Sequence, residues 1–129
     1  MRMLWDEQRE RHLEEEAPER LLLLYPTPDE AGRPTEFGDP EAVIQRFRSA
    51  LWEGGLDWEV EERDDSPINH SFVWICPGDM HCWVCFMSVR GNLAEIQVSL
   101  PLRDSEWKRR LVSVTDEVVA EVGLSVSVD

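Results

Sequence analysis

The chain has 129 residues, 42% of them hydrophobic and six of them Trp, with a formal net charge of −14. That length fits one domain over residues 1–129, and the apolar content is too high for a disordered acidic tail. Such a charge repels nucleic acid, anionic membranes and acidic ligands, and attracts a basic protein surface.

No run of eighteen apolar residues is present, so no helical membrane span is expected. Leu21 to Tyr25 is too short for a signal-peptide core and is preceded by glutamates, which places the expected location in the cytoplasm. Three Cys, confined to Cys76–Cys85, make no disulfide framework, and reduced, mostly buried thiols follow. The acids concentrate in the first half: residues 1–65 hold 19 acids and 8 bases, residues 66–129 only 8 and 5.

Residues 1–20 read as a charged helical arm whose apolar positions Leu4, Trp5, Leu13 and Ala17 form no continuous stripe, with Pro18 as a stop. Leu21–Tyr25 reads as a short buried strand closed by Pro26 and Pro28. A loop rich in Pro, Gly and acids follows to Gly38, and the α+β core is expected over 39–129. Asp39-Pro40 is a helix start, a capping acid followed by a proline whose missing N–H is not needed there. Val43, Phe47, Ala50 and Leu51 recur at helical spacing, Ile44 and Trp52 widen the stripe, and Gly54-Gly55 supplies a left-handed stop.

Leu56, Trp58 and Val60 alternate with Asp57, Glu59 and Glu61, predicting a half-buried strand with an acidic outer face. Phe72–Cys76 reads as a strand apolar on both sides. Cys82–Arg90 and Leu93–Leu100 flank Gly91-Asn92, a two-residue hairpin turn with Gly first. That turn pairs Arg90 with Leu93 and sets Trp83, Cys85, Met87 and Val89 opposite Leu100, Val98, Ile96 and Ala94 on one apolar side. A second helix starts at Asp104 or Ser105, carries Trp107, Leu111, Val114, Val118 and Val122 as its buried stripe, and ends at Gly123. Leu124, Val126 and Val128 alternate with serines as a last strand. The order α-β-β-β-β-α-β, with helices on one face of an antiparallel four-strand meander, predicts an α+β domain.

Three clusters could carry function. Glu53–Asp65 holds seven acids and one base. Asp57, Glu59, Glu61, Glu62, Asp64 and Asp65 within it could match an arginine- or lysine-rich groove, or serve only to keep a solvated edge strand from aggregating. Cys76, His81 and Cys82, with Cys85 nearby, form a candidate zinc or thiol set. Cys82 and Cys85 differ by an odd number along one strand, so their side chains leave opposite faces, which argues against a shared ion. No cofactor and no catalytic residue is expected. Lys108, Arg109 and Arg110 open the second helix where the helix dipole disfavours cations, so acids of the protein or a partner must hold them.

The phrases IQRFRSALWEGGLDWEVEE and FVWICPG, with Leu51, Gly55, Leu56, Val60, Val73, Pro77 and Gly78, make residues 40–101 resemble the YbjN-like proteins. The resemblance implies a fold like type III secretion chaperones, with dimerisation and peptide binding and no catalytic residues to carry over. The first functional reading is therefore a non-enzymatic, chaperone-like adaptor for a basic protein partner, compatible with a homodimer. The second is an inhibitor from a phage or mobile element, of anti-CRISPR or immunity type, acting by charge mimicry of nucleic acid. The third is a small zinc or thiol protein using Cys76, His81 and Cys82.

Overall fold

A computed structural model describes residues 19–76 and 82–128, which form six strands and two helices in the order β-α-β-β-β-β-α-β. The strands are β1 (Glu19–Pro26), β2 (Asp57–Asp65), β3 (Ile68–Cys76), β4 (Trp83–Val89), β5 (Asn92–Pro101) and β6 (Leu124–Val128). Helix α1 spans Pro40–Glu53 between β1 and β2, and α2 spans Glu106–Val122 between β5 and β6. The helix expected before Pro18 lies outside the described residues, as does His81.

All strands join one antiparallel sheet in the order β2-β3-β4-β5-β1-β6. The meander of β2 to β5 is as expected. The strand expected over Leu21–Tyr25 forms as β1, longer at both ends, and it joins the meander as an interior strand between β5 and β6, pairing Leu24 with Ile96 and with Val126. The described sheet thus has six strands, and its first, which includes Glu19 and Arg20, lies ahead of residue 39 in the chain.

Helix α1 forms as its sequence dictates. The Asp39 carboxylate accepts the Ala42 N–H, and Val43, Phe47, Ala50 and Leu51 are buried. At its end the Gly55 N–H reaches the Trp52 carbonyl and the Leu56 N–H the Leu51 carbonyl, the paired bonds of a Schellman cap. Trp52 does not widen the buried stripe; its side chain is 66% exposed. Helix α2 is capped by Ser105, which accepts the Lys108 N–H, and is closed by Gly123 in the left-handed region. Leu111, Val114, Thr115 and Val118 face inward, while Val122 is exposed. The Thr115 hydroxyl satisfies itself on the Leu111 carbonyl within the helix.

The β4–β5 hairpin forms, but not in the expected register. Its turn residues are Arg90 and Gly91, both at positive φ (53° and 82°), as a type I′ turn requires, and Val89 pairs with Asn92. A bulge between Met87 and Ser88 then shifts the ladder, so Val84 pairs with Val98 and Phe86 with Ile96. The net slip is one residue. Because side chains alternate along a strand, that slip exchanges the two faces of β4. Val84 and Phe86, not Cys85 and Met87, join Ile96, Val98 and Leu100 in the core beneath the helices.

That core also takes Leu24, Val73 and Ile75 from the sheet, and Phe47, Leu51, Leu111 and Val118 from the helices. Phe47 meets Phe86 edge to face at 5.9 Å. Fully buried side chains of this size contribute roughly 1.5–3 kcal/mol each, and their contiguity makes one core under both helices. The helices also meet each other: Arg46 of α1 pairs with Glu117 and Glu121 of α2 and with Glu53 of its own helix.

Candidate functional site

Alternation along each strand sorts the sheet residues into two faces, and the pairing carries each set across the sheet. The helices cover the face of Trp58, Val73, Ile75, Val84, Phe86, Ile96 and Val98. The opposite face has no helix against it among the described residues. There β2 projects Asp57, Glu59, Glu61, Arg63 and Asp65, and β3 sets Trp74 opposite Glu59, Phe72 opposite Glu61, His70 opposite Arg63 and Ile68 opposite Asp65. β4 continues the face with Trp83, Cys85 and Met87, opposite Trp74, Phe72 and His70.

The aromatic side chains form one connected layer. His70 stacks on Phe72 at 6.0 Å, and Phe72 stacks on Trp74 at 5.5 Å with the planes 12° apart. Trp83 meets Phe72 and Trp74 edge-on at 5.4 and 6.3 Å. The Arg63 guanidinium lies 4.7 Å from the centre of the Phe72 ring and donates to the Glu61 carboxylate. A ring face carries negative charge density, and with a carboxylate beside it the pair holds a cation from two sides.

The six acids expected to act together are divided by this geometry. Asp57, Glu59, Glu61 and Asp65 line the outer rim of the aromatic layer. Glu62 and Asp64 leave the helix side instead, since they sit at even positions of β2. Glu62 is committed there: it accepts from the Ser71 hydroxyl at 2.8 Å, and Ser71 in turn accepts from Arg48 of α1 at 3.2 Å. The Arg48 guanidinium lies 5.8 Å from the Trp58 ring centre and 6.0 Å from that of Phe86, joining α1 to the β2 edge. Strand β2 is otherwise almost wholly exposed, Val60 included at 41%. It is therefore less buried than the alternation of Trp58 and Val60 implied, because β2 lies at the sheet edge.

The thiols separate as the odd spacing requires. Cys82 is buried in the core under the helices, and Cys85 is buried on the aromatic face. Burial pushes the Cys85 thiol up to about 12; nearby Glu95 and Glu62 add to the rise and Arg63 opposes it. A thiol held protonated at neutral pH is a poor nucleophile and a poor metal ligand. Of the candidate zinc or thiol set, His81 lies outside the described residues. Among the described residues no cluster of three or more His, Cys, Asp or Glu side chains could hold a metal ion.

The basic group at the start of α2 is held by the protein itself. Arg109 pairs with Asp104, Arg110 with Glu106 and with the Gly55 carbonyl, and Lys108 with the Leu102 carbonyl. A cleft of about 250 Å³ lies at the hairpin end of the sheet, lined by Pro26, Glu36, Phe37, Val89 and Asn92 among others, with Glu36 as its one ionisable lining residue. None of the described helices is long and apolar enough to cross a membrane.

Sequence reasoning found the acids but missed the aromatic layer. The signal was present in Phe72–Cys76, apolar at both parities, which a strand with two covered or sticky faces shows. The misplaced hairpin register hid it by assigning Trp83 to the core side.

No protein-family model and no curated protein matches the chain. Among solved structures, the chain is similar to the adenosylmethionine decarboxylase from Aquifex aeolicus VF5, at 12% sequence identity and a TM-score of 0.48, over 86% of this chain and 87% of that one. A likeness at this level carries no activity across.

Proposed function

We propose that this chain is a non-enzymatic binding module that engages a basic protein partner through the acidic rim and aromatic layer of β2 and β3. The observation that carries this reading is Arg63. Its guanidinium, over Phe72 and paired with Glu61, is the kind of contact an incoming arginine would make with the exposed carboxylates Asp57 and Glu59 along the same face. Among the described residues, strand β2 is an edge strand with one unpaired side, so an extended segment could add its backbone there while its side chains reach the carboxylates. The resemblance to chaperone-like proteins points to the same kind of ligand. The rings favour a protein segment over mimicry of nucleic acid, because a carboxylate ladder that imitates phosphates needs no aromatic layer beside it.

The test is titration of an arginine-rich nonapeptide against the protein by calorimetry, with tryptophan fluorescence as a second signal. Steered by charge alone, any protein of this acidity would bind such a peptide weakly, so the comparison between variants decides. D57K/E59K/E61K should reduce affinity at least tenfold, and F72A should reduce it several-fold, since cation–π contacts contribute roughly 0.5–2 kcal/mol. E30K/E36K/D116K, an equal charge change at exposed acids elsewhere, should have a much smaller effect. Equal losses from the two triple reversals would reduce the interaction to generic attraction and remove the proposal.

A further inference from the structure

Among the described residues the sheet ends in two unpaired edges of opposite character. β2 carries six acids and one arginine over nine residues. β6, at the other end, is Leu124-Ser125-Val126-Ser127-Val128, without a charge. An uncharged edge strand with exposed apolar side chains is a surface that proteins ordinarily cover, because its free N–H and C=O groups template another strand. Val126 is 45% exposed and Val128 60%.

We propose that β6 is the homodimer edge of this protein, pairing antiparallel with β6 of a second copy about a two-fold axis at Val126. The sequence of the strand is self-complementary in that register. Val126 meets Val126, Leu124 meets Val128, and Ser125 meets Ser127, so apolar side chains face apolar ones on the helix side and hydroxyls face hydroxyls on the other. A slip of one residue would set each valine against a serine and break the apolar surface. Pairing about a two-fold axis uses the same patch twice and closes at two copies.

The other edge pairings are disfavoured by the same chemistry. β2 against β2 brings six acids and one arginine against the same set: centred on Glu61 it opposes Asp57 to Asp65 and Glu61 to itself, and only Glu59 meets an arginine, Arg63. β2 against β6 is head-to-tail and does not close. The β6 pairing joins two six-stranded sheets with their helices on one side and leaves a β2 edge free at each end, so the dimer presents two copies of the acidic rim. With only five residues per strand, the interface belongs to the small class and association at the weak, micromolar end is expected.

Sedimentation velocity over a hundredfold concentration range tests the assignment. The wild type should pass from monomer to dimer. V126K, which places two ammonium groups at the axis, should stay monomeric throughout with an unchanged circular dichroism spectrum; V128K, at the most exposed valine, decides the matter should V126K fail to fold. V126C should form a disulfide-linked dimer on mild oxidation, since directly opposed strand residues fall within bridging distance. D57K/E59K/E61K should leave the dimer intact while weakening peptide binding, which separates this assignment from the proposed function. A wild type monomeric at every concentration, a dimer that survives both lysine variants, or a V126C dimer that fails to cross-link through the introduced thiol would overturn it.

Discussion

Gly54 and Gly55 stand side by side at the end of α1 for different reasons. Gly55 has φ +79°, a conformation that side chains disfavour by roughly 1–2 kcal/mol. Gly54 has φ −78°, which any residue adopts; what it lacks is room, because an added Cβ would stand 2.7 Å from Val114 Cγ2 of α2. Gly54 is thus where the two helices touch. Gly54→Ala should destabilise by about 1–3 kcal/mol through overpacking. Adding Val114→Ala should recover part of that loss, giving a non-additive pair in urea unfolding, whereas Gly55→Ala should show no such coupling to Val114. At the same scale, Cys85 should resist a thiol reagent at pH 8 in the folded protein and react on unfolding. Its folded pKa lies above the unfolded one, so the folded state keeps a proton that the unfolded state releases. Stability from this group is therefore intact below about pH 9 and declines from there toward about 12, a slope that Cys85→Ser should reduce in pH-dependent melting.

At the scale of elements, the helices were legible and the faces of β4 were not. Caps and apolar spacing act within a few residues, so Asp39, the Gly54-Gly55 stop, a cap at Asp104 or Ser105, and Gly123 could be assigned from the chain alone, and the α+β class with them. The register of a hairpin depends on which residue of the turn accepts positive φ, and here Arg90 does so in place of Asn92. A bulge near Met87 shifts the ladder again. Neither event leaves a trace in alternation, because β4 is apolar at both parities. The candidate site inherited that ambiguity: Asp57, Glu59 and Glu61 were identified on one face, but Phe72, Trp74 and Trp83 beside them were not. Glu62 and Asp64 were grouped with them by composition alone, and parity separates them. Between elements, the Arg46 guanidinium is shared by Glu53, Glu117 and Glu121, and its pKa is raised chiefly by its hydrogen bond to Glu121. Arg46→Ala would leave three carboxylates facing one another across the helix pair. It should lower the melting temperature by a few degrees at low salt, and the deficit should shrink in high salt, where exposed charges are screened.

For the whole molecule, the question is whether the carboxylates of β2 act mainly by attracting a partner or by keeping copies apart. The two roles rest on the same side chains but respond differently to the sign of charge. Protection of an edge strand needs only charge, positive or negative, because like charges on two approaching edges repel either way. Recognition of a basic segment needs negative charge. D57N/E59Q/E61Q removes charge while keeping shape, and D57K/E59K/E61K restores charge with the opposite sign. Both should lose the arginine-rich peptide. Only the neutral variant should scatter light on standing at pH 7, because the outer face of its β2 edge keeps just Arg63 and Asp65, which cancel, while the lysine variant should stay clear. The wild type should scatter in the same way near pH 4.5, where its net charge vanishes. Clear solutions of the neutral variant at pH 7 would mean that edge protection lies elsewhere, and that the acids of β2 are kept for binding.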